Sequence, residues 1–290
     1  MDIDDITTEI LDGLIQYWVI TNQNTIPNFV ILMRYFKMSE RHDLFIHLTK
    51  FTGAIGVVES ILTKLSKVAN PLTTKEIMDQ VTPPVLGTNL LEITHFTKDF
   101  IALLEKKLSD KELKMVLADN HHQIPKEAFI QEKIYYEHAP SLEVYLKELH
   151  QRKVDELTEF YQAKKVWFEQ EITEEVINYV KSNQEIMSAV LKDDALYITK
   201  IPYDTTKYLH ADNDIDKAYY LCHCPFAREA VKHYGDYISA NWCYCSGGFT
   251  KFPFDIIFDQ PLEIELLESA LRLDGLCRFK IDLKNVDYKK

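Results

Sequence analysis

The spacing of the apolar residues changes once along this chain, and this change restricts the fold more than any other feature. Up to about residue 190, apolar residues recur three and four positions apart, as at Ile10, Leu14 and Tyr17, which predicts amphipathic helices. From Ala195 onward, β-branched and aromatic residues follow an alternating pattern, which predicts strands. A helical first part followed by strands with interspersed helices predicts an α+β fold.

The two patterns divide the chain into two predicted domains. Residues 1–105 form a helical N-terminal region, and residues 106–290 form an α+β module whose largely antiparallel sheet is covered by helices. The strands are predicted at 195–201, 218–224, 238–245, 261–271 and 276–283. The helices are predicted at about 6–17, 27–36, 56–68, 90–108, 141–180, 186–190, 225–234 and 254–258, with one more that starts at the capping-box pair Thr73 and Glu76.

Every cysteine of the chain lies in its last quarter, at Cys222, Cys224, Cys243, Cys245 and Cys277. On a strand, alternate residues share a face, so each Cys-x-Cys pair is expected to point one way. Two paired strands of this kind bring four thiols together, and with Cys277 nearby they form a candidate tetrahedral thiolate site that suits zinc. The alternative, that the cysteines only fill small spaces in the core, stays open.

Cys224 is also a candidate nucleophile. Pro225 suits the first position of a helix, which makes Cys224 the expected N-cap, and a helix N-terminus favours a thiolate. The nearby candidates for a base or proton donor are His223, His233 and Glu229, and Arg228, one turn further on, is a candidate to orient a substrate carboxylate. Ser246-Gly247-Gly248 is predicted to be a turn and suggests an anion-binding nest.

Aromatic residues and histidines complete the candidate site. Trp242 stands beside the second cysteine pair and is predicted, with Cys222, Cys224, Cys243 and Cys245, to line a ligand pocket. Trp167 is a further ligand-binding candidate, although a core role explains it most simply. His121 and His122 fall in a polar loop at 118–125, which we interpret as solvated.

Charge and the N-terminal sequence limit the classes of partner. Lys and Arg total 33 against 45 Asp and Glu, a net charge of −12, which disfavours nucleic acid and anionic lipid as partners. The acidic start Met1-Asp2-Ile3-Asp4-Asp5 does not resemble a signal peptide, and no continuous run of about eighteen apolar residues predicts a membrane span. We therefore expect a cytoplasmic protein, whose reduced thiols serve as metal ligands or reactive groups rather than disulfides.

Four C-terminal motifs carry a family resemblance. They are Lys200-Ile201-Pro202-Tyr203, Cys222-His223-Cys224-Pro225-Phe226-Ala227-Arg228-Glu229, Cys243-Tyr244-Cys245-Ser246-Gly247-Gly248, and Glu268-Ser269-Ala270-Leu271 followed by Cys277-Arg278-Phe279. This series resembles a largely uncharacterised bacterial family related to the L-2-amino-thiazoline-4-carboxylic acid hydrolase-like proteins. The ending is similar, more distantly, to the small-molecule-binding domain named after the bacteriochlorophyll 4-vinyl reductase. The resemblance spans about residues 111–283 and does not reach the first 100 residues.

The resemblance implies a ligand-binding fold in which helices cover one side of an antiparallel sheet and enclose a pocket. In phenol-sensing relatives of the wider group, a zinc ion beside the pocket is held by a glutamate and three cysteines. By spacing, Cys243 and Cys277 match two of these cysteines, whereas the third falls on Ser269 and the glutamate on Leu266. The resemblance therefore implies zinc only if other cysteines, from Cys222, Cys224 and Cys245, rebuild the site.

These patterns lead to one preferred hypothesis and two alternatives. The preferred one is a cytoplasmic protein that binds a small molecule in a cysteine-lined pocket, with zinc as the candidate cofactor. The first alternative is a hydrolase that uses Cys224 on a small amino-thiazoline-like or amide substrate. The second is a non-catalytic scaffold or regulator that acts through the N-terminal helices. The sequence leaves open whether the chain is an enzyme and whether it forms a homo-oligomer.

Overall fold

The N-terminal part of the protein is built from helices. The computed structural model describes residues 3–233 and 238–290. After a short 3-10 helix (Ile3–Asp5), the helices are α1 (Thr8–Ile20), α2 (Ile26–Met38), α3 (His42–Thr52), α4 (Val57–Val68), α5 (Pro71–Met78), α6 (Leu90–Lys107) and α7 (Asp110–Leu117). The helical pattern predicted for this region is confirmed.

Side-chain caps explain where several of these helices begin. The side chain of Asn89 accepts a hydrogen bond from the Glu92 amide at 2.9 Å at the start of α6, and Ser109 forms a capping box in α7. The helix cap predicted at Thr73 is wrong by three residues. Asn70 caps the helix instead, accepting from the Thr73 amide at 3.0 Å, and Pro71 takes the first helical position.

The middle of the chain departs from the predicted long helix. Its elements are a 3-10 helix (Lys126–Phe129), α8 (Ile130–His138), α9 (Leu142–Gln162), β1 (Val166–Trp167), β2 (Gln170–Glu171) and α10 (Glu174–Lys181). The helix predicted over 141–180 is interrupted by the β1–β2 hairpin. Lys164 and Phe168 adopt left-handed backbone conformations, with φ of 51° and 49°, which no helix interior accommodates.

The loop at 118–125, which precedes these elements, is partly buried, whereas the sequence predicts that it is solvated. His121 is 1% exposed, and its ring lies between the Val116 carbonyl, 2.7 Å from Nε2, and the Ser60 hydroxyl, 3.1 Å from Nδ1. His122 is exposed, in agreement with the prediction. His121 therefore ties the loop to α4 and α7 through buried hydrogen bonds.

The C-terminal part holds the main sheet. Its elements are β3 (Val190–Lys192), β4 (Ala195–Thr199), α11 (Thr205–Leu209), α12 (Asp214–Leu221), α13 (Arg228–His233), a 3-10 helix (Ala240–Cys243), α14 (Tyr244–Ile257), β5 (Glu263–Glu268), a 3-10 helix (Ala270–Arg272) and β6 (Arg278–Asp282). The strand order is β3-β4-β6-β5, and each neighbouring pair is antiparallel. The predicted α+β class is confirmed, as are strands within 195–201, 261–271 and 276–283; residues 186–190, predicted to be helical, lead into strand β3.

The strands predicted at 218–224 and 238–245 are wrong, because both segments are largely helical. Asn213 caps α12 by accepting from the Asp216 amide at 2.9 Å, and the buried Ala218 and Leu221 stand three residues apart on one face. The second segment is the 3-10 helix and the start of α14, capped by the side chain of Ser239. Aromatic residues in both segments imitate a strand composition.

One hydrophobic core connects the N-terminal helices with the C-terminal module. It contains buried residues of α4 to α7, such as Ile61 and Phe100, together with Leu221, Trp242 and Phe279 of the C-terminal part. A separate cluster holds α1, α2 and α3 together around Phe29 and other apolar side chains. The predicted domain boundary after residue 105 stays a prediction, and it falls within the last turn of α6.

The segment His42–Val68 is long and apolar enough to cross a membrane by length and composition alone, whereas the pattern of apolar residues predicts no membrane span. The chain turns between α3 and α4, where Gly56 adopts a φ of 71°. Leu44 and Leu48 pack in the cluster of α1 to α3, and Ile61 packs in the shared core, as side chains of core helices do. The cytoplasmic location stays a prediction.

Candidate functional site

Four of the five cysteines line one small cavity at the end of the main sheet. The cavity has a volume of about 30 Å³. The residues around it are Lys200, Leu221, Cys222, His223, Cys224, Trp242, Cys243, Ser246, Ser269, Ala270, Cys277 and Phe279. The predicted convergence of distant cysteines therefore occurs, but with Cys277 in the place expected for Cys245.

The sheet and two helix ends bring these residues together. Cys277 directly precedes β6 and Lys200 directly follows β4, and the Lys200 amide donates to the Cys277 carbonyl at 2.9 Å. Because β4 and β6 are antiparallel, the end of one strand meets the start of the other. Cys222 closes α12 at its C-terminus, and Cys243 ends the 3-10 helix that precedes α14.

Cys243 and Cys245 do not act as a pair. On a helix, residues two apart point roughly 200° from one another, so the two thiols diverge. Cys243 lines the cavity, whereas Cys245 is 5% exposed and belongs to the shared hydrophobic core. The common face predicted for these two cysteines is wrong because it assumed a strand.

Cys224 occupies a turn rather than the first position before a helix. Its carbonyl accepts from the amides of Ala227 at 3.1 Å and Arg228 at 2.9 Å, and α13 begins at Arg228, three residues later than the sequence predicts. Burial raises the pKa of the Cys224 thiol, and the Trp242 side chain and the amides of Phe226 and Ala227 partly oppose this rise. The turn thus supplies polar groups to the sulfur without making it a thiolate.

The other cysteines are also kept in the neutral thiol form. Burial raises the pKa of Cys222 and of Cys277, and it raises that of Cys243 well above its ordinary value. The neighbouring thiols of Cys277, Cys222 and Cys224 raise the pKa of Cys243 further, because adjacent thiolates would repel one another. A cation that binds here must therefore displace protons.

His223 lies beside Cys224 in sequence but is engaged elsewhere. Its Nε2 donates to the Ile201 carbonyl at 2.8 Å, and its Nδ1 lies 3.5 Å from Oε2 of Glu169. Burial lowers the pKa of His223. Because Nε2 is hydrogen-bonded to the Ile201 carbonyl and Nδ1 faces Glu169, the ring is poorly placed to take a proton from Cys224.

Two polar residues of the cavity wall, Lys200 and Ser269, received no role from the sequence. The Lys200 ammonium donates to the Ser246 hydroxyl at 2.9 Å and has no carboxylate within 4.0 Å in the part of the chain that the structure describes. The Ser269 hydroxyl and the Trp242 indole nitrogen are buried without an oxygen or nitrogen partner among the described residues, and they lower the pKa of the Cys243 and Cys224 thiols respectively. Lys200 and Ser269 belong to motifs quoted above, which was the available signal.

Two further candidates lie away from the cavity. Trp167 packs in a different hydrophobic cluster, between α9 and α10, and its indole donates to Oε1 of Glu156 at 2.8 Å. Arg228 is 1% exposed and stacks on the ring of Tyr203, with Cζ 3.9 Å from the ring centroid. Neither residue lines the cysteine cavity.

Ser246-Gly247-Gly248 is not the predicted turn, because all three residues lie inside α14. A Cβ on Gly248 would lie 2.7 Å from the carbonyl carbon of Ala118 and closer still to the backbone oxygen and nitrogen of Asp119. The glycine therefore lets α14 pack directly on the loop after α7. Its role is close packing rather than an anion-binding nest.

In the described residues, no group of three or more His, Cys, Asp and Glu side chains is arranged to hold a metal ion. The donor types nevertheless suit zinc, since four cysteines surround one space and tetrahedral thiolate sites are typical of this ion. Each thiol turns about a single side-chain bond. A metal at this place would require the four thiols to rotate toward the cavity centre.

Comparison with known proteins adds one family of similar sequences. Residues 203–288, less than half of the chain, match the model of a family of unknown function (DUF6144). No curated protein and no solved structure matches the chain. The matched part contains all five cysteines, while Lys200 lies just outside it. The resemblance to the hydrolase-like and reductase-type families stays a prediction.

Proposed function

We propose that this protein binds a soft metal ion, in the first place zinc, through Cys222, Cys224, Cys243 and Cys277. The observation that carries the proposal is the convergence of these four thiols, from segments up to 55 positions apart, on one small cavity. Chance packing of buried cysteines does not require them to share a space. Soft thiolate ligands select zinc and similar ions over magnesium and calcium.

The size of the cavity favours an ion over an organic molecule. A space of about 30 Å³ holds roughly two water molecules, since one water needs about 10–15 Å³ by the same measure. A small organic ligand could enter only if wall residues moved. A larger cavity of about 440 Å³ lies between the N-terminal helices, next to Phe51, Pro84 and Phe226, but no cysteine lines it.

The wall of the cavity fits the charge of a zinc–thiolate centre. Zinc with four thiolates carries a net charge of −2, and the Lys200 ammonium on the cavity wall offsets part of it. The buried Trp242 indole N–H on the cavity wall is a donor suited to a thiolate sulfur. Binding releases the thiol protons, so the affinity falls as the pH is lowered.

The decisive experiment compares zinc content and affinity in two cysteine variants. Purified wild-type protein is expected to carry one zinc per chain, and Cys243→Ala to bind it at least about 100-fold more weakly, because a ligand is lost. Cys245→Ala is the matched control: it removes a buried cysteine two residues away that does not line the cavity. Absence of zinc from wild type, or an equal loss in Cys245→Ala, would refute the proposal.

A second function, hydrolysis with Cys224 as the nucleophile, is favoured by one specific observation. Burial raises the pKa of this thiol, and the Trp242 side chain and the amides of Phe226 and Ala227 oppose the rise, so that Cys224 faces polar groups on the cavity wall. The net shift is upward, however, and His223 is engaged by Ile201. Alkylation rates measured across pH distinguish the two functions: selective, rapid modification of Cys224 supports hydrolysis, and uniformly slow modification contradicts it.

A further inference from the structure

Arg228 is a buried arginine without a counter-ion among the described residues. Arg228 is 1% exposed, and its Nε and Nη1 atoms have no hydrogen-bonding partner in residues 3–233 and 238–290. Within the same residues, no carboxylate oxygen lies within 4.0 Å of its guanidinium. A buried charge that is neither paired nor hydrogen-bonded is strongly unfavourable, so its surroundings are incomplete.

The nearest carboxylates are engaged by other groups. Glu229, the next residue, accepts a hydrogen bond from the Tyr219 hydroxyl at 3.0 Å. Glu169 lies 3.5 Å from Nδ1 of His223. The groups that surround the guanidinium most closely are the rings of Tyr203 and Tyr219, at 3.9 Å and 5.8 Å from Cζ, and both phenols are neutral at pH 7.

Another unpartnered polar group in this neighbourhood is also a hydrogen-bond donor. The Tyr203 hydroxyl is buried without a partner among the described residues, and the Tyr203 ring stacks on the guanidinium of Arg228.

We infer that Arg228 and Tyr203 form a binding site for a small oxyanion, a carboxylate or a phosphate group. A guanidinium presents parallel N–H groups that match two oxygens of such an anion, and the phenol adds a further donor. Both kinds of oxyanion share this chemistry. The site is distinct from the thiol cavity, which Arg228 and Tyr203 do not line.

Equilibrium dialysis with labelled acetate and labelled inorganic phosphate, at constant ionic strength, tests the inference and separates the two sources. Wild-type protein is expected to bind one of them with one-to-one stoichiometry. Arg228→Met should bind it at least about 100-fold more weakly, because the paired charge is lost. Tyr203→Phe keeps the stacked ring and should weaken binding about tenfold, since one hydrogen bond to a charged group is removed.

Arg272→Met is the matched control, because Arg272 is exposed and its loss leaves the buried donors intact. The control must bind the anion as wild type does. Cys222→Ala removes a thiol of the cavity wall that interacts electrostatically with Arg228 and should also retain binding, which separates this site from the proposed zinc centre. Failure of both anions to bind wild type, or equal binding by Tyr203→Phe and wild type, would overturn the inference, even where Arg228→Met fails to fold.

Discussion

The contact of Gly248 with the loop after α7 leads to a prediction whose size follows from the structure. A Cβ at this position would lie 2.7 Å from the Ala118 carbonyl carbon and closer to two backbone atoms of Asp119. Backbone atoms cannot rotate away as a side chain can. We therefore expect Gly248→Ala to lower the free energy of unfolding by about 1–3 kcal/mol, the usual cost of overpacking.

This loss should occur although alanine is favoured over glycine inside a helix by about 1 kcal/mol. For a chain of this size, each kcal/mol corresponds to roughly 2–4 °C in the melting temperature. Thermal unfolding followed by circular dichroism, together with urea titration, measures both quantities. The shift of α14 should also disturb Cys243, which directly precedes this helix, and so weaken zinc binding.

Gly13→Ala is the matched control. Gly13 lies in the exposed face of α1, and a Cβ there would meet no atom within 4 Å. The same substitution should therefore stabilise the protein by about 0.5–1 kcal/mol. The reasoning is refuted if Gly248→Ala is as stable as wild type, or if the two variants shift the melting temperature in the same direction.

Two further predictions concern buried polar contacts. Trp167→Phe removes the indole donor to Glu156 and should destabilise the protein by about 0.5–1.5 kcal/mol, with zinc affinity unchanged; a loss of zinc affinity would contradict the placement of Trp167 outside the site. Burial lowers the pKa of His121 below its unfolded value of 6.5, so its contribution is complete above that pH and is lost as the pH falls, because the unfolded state then binds the extra proton. His121→Gln should flatten the pH dependence of unfolding below pH 6.5 by at most about 1.4 kcal/mol per pH unit; an unchanged slope in urea titrations would count against this.

The sequence predicted the helical first part and the strands near 195–201, 261–271 and 276–283 because each follows a single regular spacing. It failed at 218–224, where Tyr219 and Tyr220 imitate a strand. The contrary signal was Asn213 followed by Asp214 and Asp216, a capped and acidic helix start that was present in the sequence. Local capping thus outweighed the β-propensity of the aromatic residues.

The sequence predicted that the cysteines meet, but it assumed two paired strands where the structure has helices and turns. The clustering of cysteines late in the chain suggested that they meet, and four of them do. The assignment of Cys245 to the site failed because helical and strand spacing place a residue two positions away on different faces. The roles of Lys200 and Ser269 depend on the antiparallel register and on a 3-10 turn, and no local spacing encodes either.

The two proposed sites have opposite imbalances of charge, and Cys222 interacts electrostatically with both. Its thiol influences Cys224, Cys243 and Cys277 on one side and Arg228 on the other. While the thiols stay protonated, no carboxylate oxygen of the described residues lies within 4.0 Å of the Arg228 guanidinium, and an external oxyanion is the simplest way to balance its charge. A zinc ion that converts Cys222 to a thiolate would supply part of that negative charge from within the chain. Metal and oxyanion are therefore expected to oppose one another, because each reduces the electrostatic need that the other satisfies.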